Sequence, residues 1–311
     1  MSEKKLLTRV RTFATSANLG PGYDCAGLAL NIYNEHEVYL SDLNSNCVSI
    51  KGSNDYGIEK DDNNLICRAI KKVIQKKFGL KFDTKEIFLE IKCKINVPVG
   101  RGLGSSSTAI VAGLLIANKI YNLNLSKKEM LNIGVEIEPH PDNLASCISG
   151  GLAICYKNKN NELDFEKVKI KRNFKVLLMI PNYKINTNEA RKLIPNSFPK
   201  EDVVSNIANF ALLINSMISG DFERAPDFID DKIHQPYRRK IYENSFSLMI
   251  ELINKYELPA AISGSGPTVF AIIPKIRQEE FELKILEKLK SSFPDFKFKL
   301  TSVNERGSYC Y

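Results

Sequence analysis

The stretch V-P-V-G-R-G-L-G-S-S-S-T-A, residues 97–109, constrains this chain more than any other segment. It follows a strand-like run ending at Asn96 and opens an apolar helix that continues to Ile120. Gly100, Gly102 and Gly104 let the backbone adopt positive φ and approach a bulky group closely. Ser105, Ser106 and Ser107 then fall on the first helical turn, where N–H groups lack partners and the helix dipole is positive. A strand, a glycine loop and a helix N-terminus in that order make an anion site, and the hydroxyls can reach phosphate or Mg²⁺. Two better-known phosphate loops do not fit. No GK[ST] follows the glycines, as a P-loop needs, and the third glycine comes one residue too early for the dinucleotide GxGxxG fingerprint. Taken alone, the loop also admits a plainer reading as a strand–helix turn with a serine cap.

Composition narrows the class of protein. The 311 residues give room for two packed domains. A hydrophobic content of 43% with 26% charged residues is that of an ordinary globular protein rather than a disordered chain. The 44 Lys+Arg against 36 Asp+Glu leave a net charge of +8, which suits an anionic ligand. The lysines are scattered along helices (Lys71, Lys72, Lys76, Lys77) with no aromatic interleaving, which argues against nucleic-acid binding. The seven cysteines form no CxxC pair and have no histidine at metal-ligand spacing. They read as free thiols of a reducing, cytoplasmic compartment. Met1–Leu7 lacks the apolar core of a signal peptide, and Thr108–Ala117 is too short to span a bilayer.

Strand-like runs are expected at 9–14, 36–41, 86–96 and 151–156, with helices at 61–78, 105–120, 127–136 and 142–149. Asp62 or Asn63 is the expected cap of the first helix, and Gly79 its end. The polar run KNKNNELD, Lys157–Asp164, is the expected link between two α+β halves, 1–160 and 161–311. In the second half, strands are expected at 175–180, 260–263, 268–273 and 297–302, and helices at 187–194, 201–219, 240–255 and 277–291. No internal repeat is visible.

The loop has company. The chain also carries A-T-S-A-N-L-G-P-G-Y-D-C-A-G-L-A-L at 14–30 and S-G-S-G-P-T at 263–268. With P-V-G-R-G-L-G-S-S-S-T at 98–108, the sequence resembles the GHMP kinases, whose three signatures occur in this order and here span nearly the whole chain. Within that superfamily S-A-N-L-G-P-G-Y-D, E-I-E-P-H-P-D-N-L-A (136–145) and I-N-T-N-E-A-R (185–191) are most similar to the homoserine kinase branch; Pro139 stands where Gly is common.

The resemblance implies an α+β, two-domain GHMP kinase fold: an N-terminal nucleotide-binding α+β domain and a C-terminal ferredoxin-like α/β sandwich. It implies ATP and Mg²⁺ as cofactors and phosphorylation of L-homoserine in threonine biosynthesis, with neither nucleic acid nor membrane as partner and a homodimer left open. The nucleotide would meet Pro98, Val99, Gly100, Arg101, Gly102, Leu103, Gly104, Ser105, Ser106, Ser107 and Thr108, with Asn64 as a further contact. Ser106 and Glu136 are the implied Mg²⁺ partners, with Glu138 as the other candidate carboxylate. In mevalonate-type relatives an Asp seven residues before a glycine pair serves as base. Counting back seven from Gly150 reaches Asn143, not Asp142, and an amide orients a hydroxyl rather than taking its proton. Asn18 and Asp24 are placed by the resemblance near the substrate ammonium. Arg191 and Arg238 are placed on its carboxylate, with Arg239 an alternative, and Thr187 and His140 beside it. The turn at Ser263–Gly266 would pack against the phosphate loop. Two other readings stay open: a kinase for mevalonate or another small alcohol, and a non-catalytic ligand sensor of the same fold.

Overall fold

Two runs of β-branched and apolar residues begin the chain and pair with each other over most of their length. The computed structural model describes residues 4–42, 45–50, 57–79 and 88–311. Strands β1 (Leu6–Ala17) and β2 (Ala26–Leu40) form an antiparallel ribbon, joined by β3 (Cys47–Ile50) and, beyond helix α1 (Leu65–Phe78), by β4 (Leu89–Lys94). The first two residues of the strand expected at 86–96 lie outside the described residues. Helices α2 (Ser105–Ile120), α3 (Lys127–Gly134) and α4 (Pro141–Ser149) follow, then the hairpin β5 (Leu152–Lys157) and β6 (Leu163–Val168). The polar run 157–164 is therefore a hairpin turn: Asn158 Oδ1 accepts from the N–H of Asn160 and Glu162. The first sheet thus continues to Val168, past the expected division at 160.

The helices stand where periodicity placed them, with shifted ends. The cap of α1 is Asn64, not Asp62 or Asn63: its Oδ1 accepts from Ile66 N at 2.9 Å, while Asp61 holds the N–H of Asn63. α2 is apolar on nearly every side because it is covered on nearly every side. Ile110, Val111, Ala112, Leu114, Ile116 and Ala117 are fully buried against α1 and the sheet. At about 1.5–3 kcal/mol per buried large aliphatic side chain, that seat fixes the helix firmly.

The second half starts with β7 (Phe174–Pro181), then α5 (Thr187–Lys192), α6 (Lys200–Ser219), α7 (Ala225–Phe228), α8 (Gln235–Arg238) and α9 (Glu243–Tyr256). The short α7 and α8 were not expected from the sequence. Strands β8 (Ala260–Ile262) and β9 (Val269–Pro274) come next, then α10 (Gln278–Glu280), α11 (Leu286–Ser292), β10 (Phe296–Thr301) and β11 (Tyr309–Cys310). The second sheet is antiparallel with order β10-β7-β9-β8 and helices after its first and third strands, the ferredoxin-like β-α-β-β-α-β arrangement. Its strands read as unbroken apolar runs because both faces are covered. Val176, Leu178 and Ile180 pack toward β2 and α6, while Leu177 and Met179 pack toward α9 and α11. β11 returns to pair with β1, tying the end of the chain to the first sheet.

Candidate active site

Three loops meet where the halves join: the β1–β2 connection, the loop before α2 and the turn between β8 and β9. The first carries Asn18, Leu19 and Asp24 at φ of 70°, 49° and 55°, left-handed backbone that non-glycine residues rarely adopt. Asn18 holds it there. Its Oδ1 accepts from Asp24 N at 3.0 Å, and its Nδ2 donates to Gly264 O at 2.8 Å. The third loop is stitched to the second: Ser263 Oγ donates to Gly102 O at 2.7 Å and meets Ser16 Oγ at 2.9 Å. Gly264 N donates to Ala17 O. Gly102 and Gly104 have φ of 73° and 67°, and a Cβ on either would collide, with Ser263 O and Thr15 Oγ1 respectively.

These loops border a cleft lined by Asn18, Gly100, Gly102, Gly104, Ser105 and Ser106 and by Glu138, His140, Asp142 and Asn143. Thr187, Arg191, Arg238 and Ser265 line it from the second half. The head of α2 is capped by Gly104 with no side chain on its N–H groups, so Ser105–Ser107 present backbone donors and the positive dipole end there. Thr108 faces inward instead: it is buried, donates to Ser105 O and accepts from Asn34 Nδ2. Leu103 and Val97 are core residues.

Arg101 also lines the cleft, but its guanidinium is occupied by backbone carbonyls. Its guanidinium donates to Pro181 O, Asn182 O and Val99 O at 2.8, 2.8 and 3.1 Å, which locks the loop to β7. Asn64 does not face this cleft. It borders a neighbouring, mostly apolar recess with His36, Val48, Ile66, Ser105 and Thr108, and its amide is committed to capping α1 and to Glu59 O.

Glu136 and Glu138, the two carboxylates weighed for the metal, take different places in the structure. Glu136 lies off the cleft, paired with Lys72 and Lys76 at 2.8 and 2.5 Å on the outer surface. Glu138 lines the cleft instead, its Oε2 3.4 Å from Ser107 Oγ, and Ser106 lines the same wall. The turn beyond α3 brings Glu138 N onto Gly134 O, and this rotates the second carboxylate inward.

Asn143 sits on the first turn of α4 and lines the cleft. Its Oδ1 accepts from Thr15 Oγ1 at 2.6 Å, which leaves the amide N–H groups for Asp142 Oδ1 at 3.3 Å and for a ligand. Thr15, fully buried, was not singled out from the sequence although it stands inside the first signature. Asp142 is 2% exposed and accepts from Asn143 N at 2.7 Å. Burial, with Asp24 nearby, pushes its carboxyl up to about 7.

Asp24 and Arg191, expected at opposite ends of a substrate, grip each other. Arg191 Nη2 and Nη1 lie 2.5 and 2.8 Å from the two carboxylate oxygens, and Nη1 also donates to Tyr23 Oη. Burial would raise the Asp24 carboxyl, but the Arg191 hydrogen bonds and charge outweigh it and hold it below the ordinary value. Arg191 Nε is buried and has no hydrogen-bond partner among the described residues. Arg238 is 1% exposed at the floor of the cleft, and no carboxylate among the described residues pairs with it. Its neighbour Arg239 lies over the Phe246 ring, outside the cleft. Thr187 Oγ1 meets Ser265 Oγ at 3.0 Å, and His140 lies 3.9 Å from Glu138.

Comparison with known proteins carries the fold to a family. The profile of the GHMP kinases N terminal domain matches residues 64–151, and that of the GHMP kinases C terminal matches residues 210–291. A homoserine kinase of Clostridium kluyveri is 36% identical over 281 residues, 89% of each chain. The chain belongs to the GHMP kinases. A homoserine kinase of Clostridium acetobutylicum is 35% identical over 297 residues, covering 93% of this chain and 96% of that one. Among solved structures, the homoserine kinase of Cytophaga hutchinsonii superimposes with a TM-score of 0.84 at 25% identity, covering 100% of this chain and 99% of that one. Mevalonate pyrophosphate decarboxylase from Streptococcus pyogenes shares the fold, with a TM-score of 0.66 at 14% identity over 98% of both chains. Among the described residues no helix is long and apolar enough to cross a membrane.

Proposed function

We propose that the chain transfers the γ-phosphoryl group of ATP to the side-chain hydroxyl of L-homoserine, giving O-phospho-L-homoserine and ADP on the way to threonine. One observation carries the reading. The cleft offers two distinct anion positions, the bare head of α2 and the buried guanidinium of Arg238, which no carboxylate among the described residues contacts. A buried cation without a counter-ion is costly, so a ligand carboxylate is its natural partner. An acceptor with an acidic group at one end and a hydroxyl at the other spans both positions. Asp24 keeps a negative carboxylate beside the cleft residue Arg191, and such a charge suits an ammonium, which homoserine has and mevalonate lacks. Homoserine kinases are also the relatives at 36% and 35% identity.

Phosphoryl transfer depends on positioning and charge neutralisation more than on covalent help from the protein. In this reading the N–H groups of Ser105–Ser107 hold the phosphates. Ser106 and Glu138 offer hydroxyl and carboxylate oxygens on one wall, the hard donors that Mg²⁺ takes, so the residues fit that ion and would hold it. Held there, Mg²⁺ would supply positive charge against the phosphates. Asn143, its carbonyl fixed by Thr15, offers an N–H to the acceptor hydroxyl. An amide takes no proton, so the hydroxyl proton passes to a γ-phosphate oxygen. The seven free thiols fit work in the reducing cytoplasm.

The test is ADP release with homoserine, serine, mevalonate and galactose as acceptors. Homoserine is expected to give the highest kcat/KM by at least about tenfold. Turnover of mevalonate with none of homoserine would sink the acceptor assignment and leave the kinase standing.

A further inference from the structure

Among the described residues, the hydrogen-bond acceptors that hold Arg238 are all neutral. Its Nε donates to Ala190 O at 3.1 Å, and Nη1 lies 3.3 Å from both His234 Nδ1 and Gly264 O. The His234 ring is fully buried, and its other nitrogen, Nε2, lies 2.9 Å from Gly20 O. A carbonyl oxygen can only accept, so Nε2 carries the proton and Nδ1 presents a lone pair to the guanidinium. Asp231 is 3.5 Å from Nε2 but is committed to the backbone N–H groups of Ile233, His234 and Gln235, and Asp24, whose charge reaches Arg238, is paired with Arg191. Tyr23 stacks on the other side, 5.2 Å between ring centres, with its ring 5.5 Å from the Arg238 guanidinium carbon. Burial lowers the imidazole below the ordinary histidine value, which agrees with a neutral ring.

We propose that His234 is a positioning residue for substrate selection: as the neutral Nε2–H tautomer it aims Arg238 into the cleft while leaving its positive charge for the acceptor's carboxylate. A carboxylate at 234 would hold the guanidinium equally well but would neutralise it, and the site would lose its grip on an acid. An apolar residue there would leave Nη1 with Gly264 O as its remaining acceptor and loosen the aim of the guanidinium. Neither histidine chemistry nor metal binding is required of the ring. It supplies one lone pair at a fixed point, with the first signature loop holding its far side through Gly20.

The inference rests on a carboxylate-bearing acceptor, so wild-type turnover of homoserine is measured first; its absence overturns the acceptor reading and this inference together. Steady-state kinetics of His234→Leu, His234→Asn and His234→Gln are then compared on homoserine and on 3-aminopropan-1-ol, which is homoserine without its carboxylate. For His234→Leu, KM for homoserine is expected to rise about 10- to 100-fold, the usual loss of a hydrogen bond to a charged group. KM for ATP and kcat/KM for 3-aminopropan-1-ol should stay within about threefold, because neither involves the carboxylate. His234→Asn puts an amide oxygen where Nδ1 stands and should keep the homoserine KM within about fivefold, whereas His234→Gln displaces that acceptor and should not. This pair decides the matter even if His234→Leu fails to fold. An equal fall on both acceptors, or His234→Gln outperforming His234→Asn on homoserine, would overturn the proposal.

Discussion

Asp142 and Asn143 are adjacent, yet their surroundings give them opposite properties. Asn143 accepts a hydrogen bond from Thr15 at the cleft wall, while Asp142 beside it, 2% exposed, has a carboxyl raised to about 7 by burial. A carboxyl raised from its unfolded value near 3.8 favours the fold when protonated, so that stability is complete below about pH 4 and is lost as pH rises through about 7. Asp142→Asn removes the dependence while keeping an oxygen for Asn143 N. Thermal unfolding at pH 5 and pH 8 should show wild type losing stability across that interval relative to the variant. Turnover of the variant should stay within about tenfold, since no proton is routed to Asp142. A loss of about 10⁴ in kcat with no change in the pH profile of stability would make Asp142 the base instead. The place of Asn143 on the cleft agrees with the count back from Gly150, which needs no structure. Glu138 was harder to read, because a two-residue difference changes which carboxylate turns inward. Thr15, Tyr23 and His234 act through other side chains, and nothing in their local spacing signals that.

At the scale of elements, the loop before α2 and the turn before β9 act as one unit, since Gly102 O receives the Ser263 hydroxyl. Gly102→Ala would force a Cβ onto Ser263 O at a φ that already disfavours alanine. The cost should be about 1–3 kcal/mol of stability, with KM for ATP raised about tenfold as the N–H groups move. Gly79, also at positive φ but with open space around it, serves as control: Gly79→Ala should cost some stability and leave KM for ATP within about twofold. Equal effects from the two substitutions would separate the loop from the turn. Long amphipathic or wholly apolar helices such as α1 and α2 were legible from spacing. The start of β2 at Ala26 was not, because it lies inside a glycine-bearing signature that reads as loop. The hairpin β5–β6 was hidden by the polar turn that joins it, and α8 by its four-residue length.

Across the whole molecule, the cleft exists only because the two sheets meet. The first half brings the head of α2, Glu138 and Asn143; the second brings Thr187, Arg191 and Arg238. The first and third signatures, about 250 residues apart, close on each other through Asn18 and Gly264. The sequence carries both but cannot display their contact, nor the bidentate Asp24–Arg191 pair that places two expected substrate ligands on each other. In the proposed reaction this junction phosphorylates the hydroxyl of an amino acid rather than of a simple hydroxy acid. The most direct measurement is ³¹P NMR of one mixture holding the enzyme, ATP, Mg²⁺ and equal concentrations of homoserine and mevalonate. A single new phosphomonoester, matching O-phospho-L-homoserine and rising in step with ADP, is the expected result. Phosphomevalonate, or ADP accompanied only by inorganic phosphate, would contradict the account.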